Sequence, residues 1–176
     1  MKSKEKRAAR TALWQQVADE SCSDHALLIL QAEFDNIPWH NGKVRLQCQY
    51  LLNHKGLHLH LHCSDLTLQQ AALHTYFACD DVRQATVSPL PATFINKVVP
   101  AETSAALQFG GEIDRIYQGA AATLTVKTPA TLLLQQAGHD ASVVWNPGQT
   151  KGSAAKEIGP QQWPKFVCAE TARLSL

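Results

Sequence analysis

Apolar and polar residues alternate with period two along most of the chain, the pattern of strands with one face buried and the other wet. Residues 43–52 carry it most clearly: Val44, Leu46, Cys48, Tyr50 and Leu52 fall on one face, and Lys43, Arg45, Gln47 and Gln49 on the other. Asn53-His54-Lys55-Gly56 then supplies turn chemistry, and Leu57, Leu59, Leu61 and Cys63 resume the alternation against His58, His60 and His62. Together these runs predict an antiparallel hairpin. Shorter strands are predicted over 26–34, 70–77, 112–117, 122–127, 131–135, 142–145 and 165–170, bounded by Gly, Pro, Asn or Asp. The spacing points to an all-β sandwich. Residues 11–18 are ambiguous, because Leu13, Trp14 and Val17 also suit one face of a short helix; a strand is the reading adopted. Residues 88–104 and 148–162, rich in Pro, Gly and small side chains, read as long loops on the sheet scaffold. With no repeat and no linker, one domain over residues 1–176 is expected.

Composition narrows the classes. At 45% hydrophobic and 18% charged, the 176 residues can close a core, which excludes wholesale disorder. Sixteen basic against fifteen acidic residues leave a charge of +1, which advertises neither a nucleic-acid nor a membrane surface. Five cysteines, odd in number and without Cys-x-x-Cys spacing, read as reduced thiols. The basic opening is not followed by an apolar run, and nothing approaches the roughly 18 apolar residues of a membrane span, so a cytoplasmic protein is expected.

Five segments carry candidate chemistry. In Leu73-His74-Thr75-Tyr76-Phe77, alternation puts His74 and Tyr76 on one face; an imidazole there can serve as a general acid near neutrality, its ordinary alternative being a structural histidine. Glu170, ending the apolar run Phe166-Val167-Cys168-Ala169, is a candidate general base, or simply a solvated strand end. Asp114 and Arg115 fall on opposite faces of one strand, where an exposed pair is the plain expectation. Trp145, running into Asn146-Pro147-Gly148, suits either a sugar face or the core. His58, His60 and His62 share one strand face with no acidic or cysteine partner identifiable, so no metal site is assigned and a polar sheet face is the reading.

Taken in order, the segments 9–14, 72–77, 93–98, 114–117, 143–148 and 166–170 resemble the aldose-1-epimerase-like family, in its hexose-6-phosphate mutarotase branch. The stretch around His74 and the succession from Trp-Asn-Pro to Val-Cys-x-Glu carry most of the likeness. The resemblance implies a twisted antiparallel β-sandwich of galactose-mutarotase type, with a hexose or hexose phosphate lying across one sheet. It implies His74 as general acid, Glu170 as general base, Asp114 on sugar hydroxyls, and no cofactor. The chemistry agrees: interconverting α and β anomers needs one group to take the anomeric hydroxyl proton and another to protonate the ring oxygen.

The likeness departs at the front, where the family carries further strands, an Arg-Gly-Gly segment and a His-Gly-x-x-Arg motif. Here Lys6-Arg7-Ala8-Ala9-Arg10 keeps only the arginine, so Arg10 is the candidate phosphate fork. Asn96 stands where the family usually has aspartate. Open edges left by the missing strands predict association, as a homodimer or a strand swap, or poor solubility. The leading expectation is therefore an isomerase of glucose-6-phosphate 1-epimerase type. The alternative is a non-catalytic carbohydrate-binding or vestigial module.

Overall fold

The computed structural model describes residues 8–35, 42–64, 70–101, 104 and 106–174, arranged as two compact units, residues 1–68 and 69–176. Antiparallel strands dominate both, as the alternation predicts. Among the described residues no helix is long and apolar enough to cross a membrane.

The first unit is a meander: β1 (Gln15–Ser21), β2 (His25–Phe34), β3 (Val44–Asn53) and β4 (Gly56–Cys63) lie side by side in chain order. The β3–β4 hairpin turns at His54-Lys55, with Asn53 paired to Gly56, and the Asn53 side-chain oxygen accepts from the Lys55 N–H at 2.8 Å. Gly56 has φ of 135°, a conformation that the missing Cβ permits. Cross-strand register puts Val44, Leu46, Cys48, Tyr50 and Leu52 opposite Phe34, Ala32, Leu30, Leu28 and Ala26, so both strands present the same apolar face. The strand expected over 11–18 is corrected: α1 (Ala8–Thr11) is one helical turn, closed by the Trp14 indole N–H donating to the Ala9 carbonyl at 2.9 Å, and β1 starts only at Gln15. Lys6 and Arg7 lie outside the described residues.

In the second unit a large sheet is built from β5 (Ala71–Leu73), β6 (Tyr76–Ala78), β8 (Ile95–Asn96), β9 (Ile113–Gln118), β12 (Ala141–Asn146) and β13 (Phe166–Arg173). It runs in the order β5-β13-β12-β9-β8, with β6 also on β13. A smaller sheet, β11-β10-β7, comprises β7 (Thr86–Ser88), β10 (Thr123–Lys127) and β11 (Thr131–Gln135). Tyr117, Val144, Val167 and Ala169 on one face of the large sheet join Val87, Leu124 and Val126 of the small one in a single buried cluster. That two-layer core occupies one face of the large sheet and leaves the other for the candidate chemistry.

The loop expected over 148–162 is also corrected, since α2 (Gly148–Ala154) forms there. Its residues, with two glycines in seven, have weak helix propensity. Tertiary seating supplies what propensity lacks. Asn146 donates to the Trp163 and Phe166 carbonyls, both at 2.9 Å, and accepts from the Gly148 N–H at 2.9 Å. Gly148 has φ of 66° and sits where a Cβ would lie 2.3 Å from the Gly111 carbonyl carbon. Residues 88–104 hold β8 and otherwise run as loop where described; residues 102 and 103 lie outside the described residues.

Candidate active site

The strand expected over 70–77 is interrupted, and the interruption makes the site. Leu73 pairs with Thr171, and Tyr76 pairs with Cys168, both on β13. Continuing that register across the gap brings His74 opposite Glu170. Between β5 and β6 the Thr75 N–H turns back to the Leu73 carbonyl at 3.0 Å and leaves the β13 ladder. The two candidate residues meet: His74 Nε2 lies 3.3 Å from Glu170 Oε1.

Strand pairing also fixes what else shares this face. Trp145 is paired with Cys168 on one side and with Asp114 on the other, and Val143 lies between Glu170 and Ile116. Directly opposed residues of antiparallel strands project from the same face, so Asp114, Trp145, Phe166, Cys168, Glu170, His74 and Tyr76 all stand on the side away from the core. Their rings form a continuous aromatic surface. His74 stacks on Tyr76 (centroids 4.9 Å apart, planes 22° apart) and meets the edge of Trp145 at 5.5 Å. Phe166 lies 5.0 Å from Tyr76 and 5.8 Å from Trp145. The sequence reading did not name Tyr76 or Phe166 as site residues; the signal was their even spacing from His74 and Glu170.

Electrostatics separates the two partners. Glu170 is 6% exposed and lies inside β13, so the plain expectation of a solvated strand end is overturned. Burial, and secondarily the charge of Asp114, push its carboxyl up to about 7. His74, by contrast, keeps nearly half its side chain in solvent. Asp114 is half-buried and also raised: burial and Glu112 raise it, while Lys97, Lys151 and His74 oppose them. Cys168, beneath the ring cluster, is fully buried and its thiol is raised by burial and by Glu170, so it remains protonated. A buried carboxyl titrating near neutrality against an exposed imidazole is suited to passing a proton to and from a ligand laid on the aromatic face.

The exposed pair expected at Asp114 and Arg115 is corrected as well. Arg115 is 2% exposed, donates to the Ala106 carbonyl at 2.8 Å and lies 4.3 Å from the Phe94 ring centroid, a cation–π contact on the core face. Asn96, on that same face opposite Arg115, accepts from the N–H groups of Val98 and Val99 at 2.8 and 3.0 Å. Its role is to hold the turn after β8, which an amide oxygen does without adding a charge. Arg10 belongs to α1 of the first unit and is exposed, outside the unit that carries the other candidates. His58, His60 and His62 are exposed on β4.

The candidate site is thus an imidazole and a carboxyl in contact on an aromatic face of an antiparallel sheet. The sequence pattern of the Aldose 1-epimerase family matches residues 8–175, and the chain belongs to that family. It is 31% identical over 112 residues to an Escherichia coli (strain K12) protein named "Putative glucose-6-phosphate 1-epimerase", covering 60% of this chain and 38% of that protein. A Haemophilus influenzae protein of the same name is 32% identical over 110 residues, covering 60% and 40%. The chain therefore spans about two fifths of the length of these curated relatives. The crystal structure of a "putative mutarotase" from Salmonella typhimurium superimposes with a TM-score of 0.80 at 22% identity, over 92% of this chain and 58% of that one, which establishes the mutarotase-type β fold.

Proposed function

We propose that the chain is an isomerase that interconverts the α and β anomers of a hexose 6-phosphate through His74 and Glu170. The observation that carries this reading is the 3.3 Å contact between the two groups on the aromatic face. The ring oxygen and the anomeric hydroxyl are bonded to the same carbon, so the acid and base serving them must stand side by side.

In the forward step the Glu170 carboxylate takes the proton of the anomeric hydroxyl, the bond from C1 to the ring oxygen breaks, and His74 delivers its proton to that oxygen. The open aldehyde rotates, the former ring hydroxyl attacks the other face of C1, and both protons return along the same routes. No atom is gained or lost. The pair holds one transferable proton in either direction, and a carboxyl raised to about 7 is a stronger base than a solvated glutamate. Trp145, with Tyr76 and Phe166, offers the apolar face against which a pyranose ring stacks, and Asp114 takes sugar hydroxyls.

The test follows α-glucose 6-phosphate relaxing to anomeric equilibrium by polarimetry, with the full chain and with His74→Ala and Glu170→Gln. The chain should accelerate relaxation over buffer, and each substitution should remove about 10²–10⁴ of that acceleration. A chain no faster than buffer refutes catalysis. Saturable hexose-phosphate binding with no acceleration would instead establish a second reading, a binding module without turnover.

A further inference from the structure

We propose that the chain forms a two-fold symmetric dimer in which β11 pairs antiparallel with β11 of a second copy, joining the two smaller sheets into one. The inference concerns the second unit alone and does not rest on the epimerase reading.

β11 ends the β11-β10-β7 sheet, and among the described residues no strand lies beyond it. The hydrogen-bond pattern shows which of its backbone groups are left on the open side. At one end of the β10–β11 hairpin the Thr128 N–H donates to the Ala130 carbonyl, and at the other the Gln136 N–H donates to the Ala122 carbonyl, both at 2.8 Å. The register between them runs without a shift. Bonded and non-bonded pairs alternate in an antiparallel ladder. Leu132 and Leu134 therefore direct their N–H and C=O groups to β10, while those of Thr131, Leu133 and Gln135 point out from the sheet edge.

This outward row is its own complement. About a two-fold axis through Leu133, the N–H and C=O of Leu133 exchange with those of Leu133 in the second copy, and Thr131 exchanges with Gln135 on either side. Every outward donor then meets an acceptor. Side chains agree with the same axis. Leu133, 67% exposed, lies beside its own copy on one face; on the other, Leu132, 39% exposed, lies beside Leu134, which packs on the core. The strand carries no charge to set against itself. A slip of one residue would bring outward groups against inward ones, so the alternation fixes the register.

Edge strands resist such pairing by charge, bulges, proline or brevity, and the described edges differ in this respect. β1 carries Asp19 and Glu20 and a register shift between Gln16 and Ala18. β5, β7 and β8 are three residues long or shorter. β11 is five residues, regular, uncharged and without proline. The other long edge, β4, would set His58, His60 and His62 against imidazoles if it paired with itself. A five-residue ladder buries less than the roughly 1,200 Å² at which stable interfaces begin, so the dimer is weak and depends on concentration.

The test is sedimentation of the full chain from about 10 μM to about 1 mM, a range that brackets a weak dimer. The unaltered chain should pass from the mass of one copy to that of two and stop there, because the two-fold axis uses up both β11 edges. Leu133→Lys sets like charges against each other on the axis and should raise the dissociation constant at least about tenfold, and Leu133→Glu should do the same. Mixing the two variants should restore the dimer, since only on the axis does position 133 meet position 133 of the other copy. Far-UV circular dichroism verifies that each variant folds, and the exposure of Leu133 makes its replacement tolerable in one copy. A chain that stays monomeric throughout, a mass that climbs past two copies, or a mixture of the variants that does not associate overturns the proposal. So does a dimer that survives Leu133→Lys and is lost in His60→Lys on β4.

Discussion

Glu170→Gln should stabilise the protein in alkaline solution and not in acid. In the fold the Glu170 carboxyl is raised from 4.5 to about 7, chiefly by burial. The native state thus binds more protons than the unfolded chain between those values, and stability falls as pH rises through the window. The favourable contribution is fully present below about 4.5 and is lost as pH climbs past about 7. At 1.36 kcal/mol per pKa unit, the shift corresponds to about 3 kcal/mol. Glutamine keeps the shape and cannot ionise. Its stability relative to the unaltered chain should rise by about 3 kcal/mol between about pH 4 and about pH 8, with the steepest change near 1 kcal/mol per pH unit. Urea unfolding of both proteins at several pH values measures it, since the other titrating groups cancel in the difference. A protonated His74 at 3.3 Å favours the carboxylate, so His74→Ala should enlarge the effect. A Glu170→Gln difference that stays flat with pH would refute the argument, because the carboxyl would then ionise in the fold as it does in water. Under the proposed function the same variant should also lose anomer interconversion, so that stability and function would trade against one another at this position.

Two further outcomes follow from the same geometry. Asp114→Asn removes the like charge that helps raise Glu170, so the acidic limb of the pH–rate profile should move to lower pH; a limb that stays in place would show that burial alone sets it. Gly148→Ala should destabilise by more than about 1 kcal/mol, because it imposes a left-handed conformation and drives a Cβ against the Gly111 backbone; an unchanged urea midpoint would contradict the close packing that seats α2.

Much of the site was legible along the chain, and particular residues show where legibility stops. Alternation put His74 with Tyr76 on one face, and the two rings stack in the fold. The same reasoning took Glu170 for a candidate at a strand end, whereas β13 runs on to Arg173 and buries it. Arg115 reads as an exposed charge until Phe94 and the Ala106 carbonyl are brought to it from preceding segments. The helix α2 contradicts its own composition, because its seat is made by Asn146 and Trp163 rather than by its residues' propensities.

By itself the sequence determined most of the longer strands, the side each residue takes within its strand, the β3–β4 hairpin, and which residue types are available for acid–base work. Side-chain direction and turn chemistry are local properties, set within a few residues. Tertiary structure alone decided that β5 and β6 flank β13, and therefore that an imidazole and a carboxylate nearly a hundred positions apart touch. It also decided the proton affinity of Glu170, since the water withheld from that carboxyl is excluded by strands and rings that no local pattern specifies.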